Sequence, residues 1–129
     1  MRSTRRGSTW PVGLVGGRSW EGCVTDCVDK NTIVRFVASF NPHRKFPIDM
    51  AAFAFNVKLL HAHPNASFDY VHTEAQEGYI LTQLGFRTAF DLEPKANGCS
   101  EVCKHLFCHE NSNPAVYHSF NFCHKHVTR

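Results

Sequence analysis

At 129 residues, with 43% hydrophobic and 19% charged residues, the chain fits one soluble domain with a modest core. Its formal charge of +3 is mild and concentrated in Arg2, Arg5 and Arg6, which excludes a nucleic-acid-binding face. No apolar run approaches the roughly 20 residues of a membrane span, and residues 1–15 lack the apolar core of a signal peptide.

Ser8 to Val15 reads as a buried strand ended by a Gly16-Gly17 turn, with Pro11 suited to an edge. Arg18 to Asp29 is short and polar. Asn31 to Ala38, rich in β-branched and aromatic residues, is a second strand, and Asn41-Pro42-His43 is a turn. Met50, Phe53, Ala54, Val57, Leu60 and His61 recur at helical spacing, predicting a helix from Asp49, its N-cap, to Ala62. Pro64 ends it and pushes His63 out of helical geometry. Ala66 to Val71 is expected as a short strand. Thr73 and Gln76 form a capping box for a helix over 75–84, closed by Gly85. The mixture predicts an α/β fold. Past Cys99 both periodicities fade while Cys and His become abundant, which divides the chain into 1–100 and 101–129.

Several charged groups have a structural and a chemical reading. Asp49 caps a helix, Glu77 suits the positive end of a helix dipole, Glu21 is a solvated strand-end residue, and Arg44 is a surface cation. Placed together, the same groups could hold a polar ligand. Six cysteines, Cys23, Cys27, Cys99, Cys103, Cys108 and Cys123, leave disulfides, metal and free thiols all open. With His109, His118, His124 and His126, the last four, Cys99 to Cys123, include the ligand types zinc prefers, although Cys103-x4-Cys108 is wider than most paired-ligand knuckles. Asn65-Ala66-Ser67 is a glycosylation sequon on an expected surface loop.

Three stretches, Trp10-Pro11-Val12-Gly13-Leu14-Val15-Gly16-Gly17, Arg44-Lys45-Phe46-Pro47-Ile48-Asp49-Met50 and Asp91-Leu92-Glu93-Pro94-Lys95-Ala96, resemble the β-1,3-glucuronosyltransferases. The match runs over about residues 2–100. It implies a partial GT-A-type fold, the acceptor-binding half, followed by a disordered or aberrant tail. The last 29 residues match nothing in that family and read as sequence of another source, such as an unspliced intron or a shifted frame.

The resemblance implies transfer of glucuronic acid from UDP-glucuronate to the 3-hydroxyl of a terminal galactose, as in glycosaminoglycan–protein linker synthesis. It also implies inversion in a single displacement, manganese as cofactor, the luminal side of the Golgi membrane, and a homodimer. Residue by residue it makes Glu77 the catalytic base, within Glu77-Gly78-Tyr79-Ile80-Leu81. Glu21, Arg44 and Asp49 become acceptor-binding residues, and Phe40 an aromatic platform where the best-known members carry tryptophan. No Asp-x-Asp motif occurs to hold the metal, and no Trp-His-Thr follows Ser100. The chain alone is therefore expected to lack transferase activity. The alternatives are a non-catalytic glycan- or partner-binding fragment and a zinc-binding module formed by the tail.

Overall fold

Pro11 divides what the sequence presents as one strand. The computed structural model describes residues 4–15, 17–71 and 75–102. In it Gly7–Thr9 form β1 and Val12–Val15 form β2, which belong to different sheets. The expected strand over 8–15 is thus corrected, because Pro11 offers no N–H to a ladder. β1 pairs antiparallel with β5 (Phe53–Phe55) and parallel with β6 (Glu93–Pro94), giving the order β5-β1-β6. β2 opens an antiparallel sheet with β3 (Arg18–Thr25) and β4 (Ile33–Val37).

β3 is a second correction, since the polar stretch from Arg18 contains an eight-residue strand. Its polarity hides a buried segment, Glu21-Gly22-Cys23. Gly22 has φ +146, and a Cβ there would lie 2.5 Å from the Pro11 Cα, so only glycine lets the two strands approach. β4 falls where the sequence placed it. Between the two strands, the Asp26 carboxylate accepts from the Val28 and Asp29 amides at 2.8 and 3.0 Å.

The helix expected from Asp49 to Ala62 survives only at its ends. Asp49 does cap, accepting from the Ala51 amide at 2.9 Å, but the turn it starts is a 3-10 turn over Met50–Ala52. Phe53–Phe55 then run as β5, and α1 occupies Lys58–Ala62. Pairing with β1 overrides the helical spacing. The Ala52 carbonyl accepts from Trp10 N and Thr9 Oγ1 at 3.2 and 2.7 Å instead of from a residue four ahead. Asn56 restarts the helix by accepting from Lys58 N. His63 leaves helical geometry at φ −128 and ψ 69, as the following proline predicts.

Residues 66–71 form no strand. Gln83 and Gln76 bond the backbones of Ser67 and Asp69, supplying by side chain what a ladder would supply. α2 spans Gln76–Gln83 and ends before Gly85, whose φ is +92. Thr73, half of the expected capping box, lies outside the described residues, as do residues 103–129. Among the described residues no helix is long and apolar enough to cross a membrane.

Trp10, Phe46, Ile48, Ala52, Ile80, Leu81, Leu84, Phe86 and Leu92 form the core between the first sheet, the 45–52 segment and α2. The second sheet is tied on by the Cys23–Cys99 disulfide, whose Cα atoms are 5.7 Å apart. Cys99 closes a turn, Ala96–Cys99, with φ values of 55, 53, 61 and 61, one revolution of left-handed helix. Architecturally the chain is α/β, with two small mixed sheets and few helices.

Candidate active site

Glu77 lies in the first turn of α2, half-buried. Its placement depends on the next residue, because a Cβ on Gly78 would lie 3.3 Å from the buried Phe46 ring, so the helix rests directly on that ring. Phe46 belongs to the segment carrying Arg44 and Asp49. That segment is pinned by the Ala89 amide, which donates to the Lys45 carbonyl at 2.9 Å. Burial pushes the Glu77 carboxyl above the usual carboxylate range. Its own backbone N–H and the positive Arg44 guanidinium oppose the shift, while negative Asp49 adds to it. Arg44 and Asp49, 33 and 28 positions earlier in the sequence, thus act on Glu77.

Arg44 is braced on two sides. Nη2 donates to the Ile48 carbonyl at 2.9 Å, and the guanidinium sits 5.2 Å from the Phe40 ring centroid. Its Nε is buried without a partner among the described residues, a donor that the protein leaves unsatisfied. Asp49 spends one carboxylate oxygen on its cap and stays partly exposed. Phe40 is 54% exposed despite the stacked cation, which leaves aromatic surface open to solvent.

Glu21 differs from its expected solvated position. It is only 5% exposed, in mid-β3, and accepts the Ser39 amide at 2.7 Å. That bond fixes the residue before Phe40, so Glu21 joins the cluster through the backbone it braces. The brace, the Gly78–Phe46 contact and the Cys23–Cys99 bond are the features that sequence reasoning missed. Cys23 lies two residues from Glu21, and an even cysteine count split between distant segments is the one signal that could have exposed the bond.

Among the described residues no group of three or more His, Cys, Asp and Glu side chains is placed to hold a metal. Asp26 and Asp29 are spent on their own turn. Bonds from the Asp29 and Val28 amides lower the Asp26 carboxyl, and the Thr32 hydroxyl followed by the Asn31 amide lowers that of Asp29. The manganese that the resemblance implies therefore finds no fitting donor set among the described residues. Cys99 is removed from the zinc set by its disulfide, and the rest of that set lies outside the described residues. Asn65 is exposed, just beyond α1.

Glu77, Arg44, Asp49 and the exposed Phe40 ring are thus carried on segments that meet around Phe46. The model of glycosyltransferase family 43 matches residues 1–107. The chain belongs to that family.

Galactosylgalactosylxylosylprotein 3-beta-glucuronosyltransferase 3 of Mus musculus is 43% identical over 104 residues, 79% of this chain and 29% of the mouse protein. The sqv-8 enzyme of that name from Caenorhabditis elegans is 41% identical, over 79% of this chain and 28% of its own length. The human 3-beta-glucuronosyltransferase 2 is 39% identical, over 79% and 31%. The chain thus spans about three tenths of the length of the curated relatives it matches.

Proposed function

We propose that this chain is the acceptor-binding part of a GT-A-type β-1,3-glucuronosyltransferase. The reaction moves glucuronic acid from UDP-glucuronate to the 3-hydroxyl of a terminal galactose, the chemistry of glycosaminoglycan–protein linker synthesis. The observation that carries the proposal is the convergence of Glu77, Arg44 and Asp49, with Glu77 held above the usual carboxylate range by burial.

A sugar hydroxyl is a poor nucleophile at neutral pH. Glu77 takes its proton as the galactose oxygen attacks the anomeric carbon, the bond to UDP breaks on the opposite face, and UDP leaves with the electron pair. A raised carboxyl is a stronger base than an ordinary one, and such a base typically contributes about 10²–10⁴-fold. Arg44 and Asp49 hydrogen-bond the acceptor hydroxyls, Phe40 offers an aromatic face to the sugar ring, and Glu21 holds the Phe40 segment in place.

UDP-glucuronate and manganese complete the proposal on the donor side, where no residue of this chain is assigned a role. The Cys23–Cys99 disulfide supports a location in an oxidising lumen such as the Golgi.

The test is transfer from UDP-glucuronate to a galactose-terminated disaccharide by the native protein, isolated with an antibody against residues 44–60. Intact mass shows whether the antibody captures a 14.6 kDa chain or a longer one. A longer protein should transfer with manganese and lose about 10²–10⁴-fold in kcat on Glu77→Gln. Unchanged kcat would refute Glu77 as the base. The 129-residue chain alone should not transfer, and transfer by it would overturn the acceptor-part assignment.

A second reading, a non-catalytic galactoside-binding fragment, is favoured by one observation: the exposed Phe40 ring lies against the Arg44 guanidinium, a pairing that can hold a sugar without a metal. It predicts disaccharide affinity that falls on Asp49→Ala and is indifferent to UDP.

A further inference from the structure

We infer that Asn65 carries an N-linked glycan, because its sequon sits on an exposed turn of a chain that holds the Cys23–Cys99 disulfide. The acceptor chemistry needs an asparagine amide, a hydroxyl two residues on, and no proline between them. Asn65, Ser67 and the intervening Ala66 meet those terms.

The fold meets two more. Asn65 and Ser67 are both exposed, and the turn they occupy is closed by the Ala66 amide donating to the His63 carbonyl at 3.0 Å. Neither the Asn65 amide nor the Ser67 hydroxyl has a hydrogen-bond partner among the described residues. The Ser67 backbone, by contrast, is clamped by Gln83, which accepts its N–H at 3.2 Å and donates to its carbonyl at 2.9 Å. The backbone is thus satisfied while both recognition side chains are free, so a glycan on Asn65 displaces nothing that holds the fold together.

Position also favours the modification. Gln83 ends α2 while Glu77 lies in its first turn, and six residues of helix separate the two by about 9 Å along the axis. A glycan at the Gln83 end leaves the Glu77 end open.

The Cys23–Cys99 bond favours a luminal compartment, since disulfides persist where the environment is oxidising. The inference rests on the luminal placement proposed above. In the step itself, the Asn65 amide nitrogen bonds to the anomeric carbon of an oligosaccharide carried on a lipid diphosphate. The bond from that carbon to the diphosphate oxygen breaks, the diphosphate leaves with the electron pair, and the amide proton passes to a base of the transferring enzyme.

Peptide mapping of the native protein, isolated from its own cells without reduction, tests the inference and its premise separately. Trypsin releases residues 59–87 as one peptide. The expected result is that peptide bearing hexose and N-acetylhexosamine, converted by peptide-N-glycosidase to the sugar-free form with Asp at position 65. In secretory expression, Asn65→Gln should remove the whole gel shift, and Ser67→Thr should keep it or raise the occupied fraction. An unmodified 59–87 peptide alongside linked Cys23 and Cys99 peptides would overturn the inference and leave the luminal placement standing. An unmodified peptide with both cysteines free would overturn the two together.

Discussion

The two halves of this small structure are stabilised by different physics. The β5-β1-β6 sheet, the 45–52 segment and α2 close over Phe46, Ile48, Leu81, Leu84 and Phe86, each no more than 2% exposed. The β2-β3-β4 sheet contributes Val12, Cys23 and Ile33 to the interior while Val34 stands 48% exposed and Val28, in the connecting turn, 95%. Beyond the packing of Val12 and Phe36, its order draws on a disulfide, an aspartate-capped turn and one left-handed revolution of backbone. The division reaches the site. Glu77 sits on the apolar half, so its raised carboxyl is a by-product of core burial. Glu21 sits on the cross-linked half and acts through a backbone amide.

The largest test strikes the apolar half. Phe46→Ala should cost about 3–5 kcal/mol, as truncation of a buried phenylalanine usually does, read by urea unfolding. A loss under about 1 kcal/mol would mean that α2 does not rest on this ring. Next comes the other half. Replacing Cys23 and Cys99 by serine removes a link across 76 residues and should cost about 2–4 kcal/mol. Hydrogen exchange sharpens the contrast, because β2 to β4 should lose protection while α2 keeps it. Equal loss in both would erase the distinction. Gly22→Ala should cost about 1–3 kcal/mol by forcing a Cβ against Pro11.

A smaller effect separates chemistry from stability within the apolar half. The folded-state pKa of Glu77 is raised, so the folded protein binds its proton more tightly than the unfolded chain does. That stabilisation is complete below the ordinary glutamate pKa and is lost as pH rises through the raised folded value. At neutral pH the ionised carboxylate is thus a burden, and Glu77→Gln should raise the midpoint of thermal unfolding. The gain should shrink toward zero in acid. A gain independent of pH would show that ionisation is not its cause.

Local signals were legible in the sequence and long-range pairing was not. The Asn41-Pro42 turn, the Asp49 cap, β4, and α2 with its Gly85 stop each depend on residues within a few positions of one another. Phe53 to Phe55 carry a helical pattern, yet β1 lies more than forty residues upstream and claims them as a strand. β3 escaped notice because the partners that bury Glu21, Gly22 and Cys23 are Pro11, Ser39 and Cys99, none of them adjacent. For the site, family motifs singled out the residues, but that Glu21 is buried and braces Ser39 emerges only once β3 is placed between β2 and β4.

The finest test lies in the left-handed turn, where two small-residue swaps should have opposite signs. Ala96 holds φ +55, a conformation in which its Cβ crowds the following carbonyl at a cost of about 1–2 kcal/mol. Ala96→Gly removes that cost but loosens the unfolded chain by about 0.5–1 kcal/mol. The net expectation is a gain of about 0.5 kcal/mol. Gly98, two residues on at φ +61, should do the reverse. A Cβ there meets the Lys30 Cβ at 2.8 Å and the Lys30 carbonyl oxygen at 3.0 Å, so Gly98→Ala adds a clash to the strain. Opposite shifts in thermal midpoint would confirm that backbone handedness holds Cys99 against Cys23. Two shifts of the same sign would mean that the disulfide alone sets the turn.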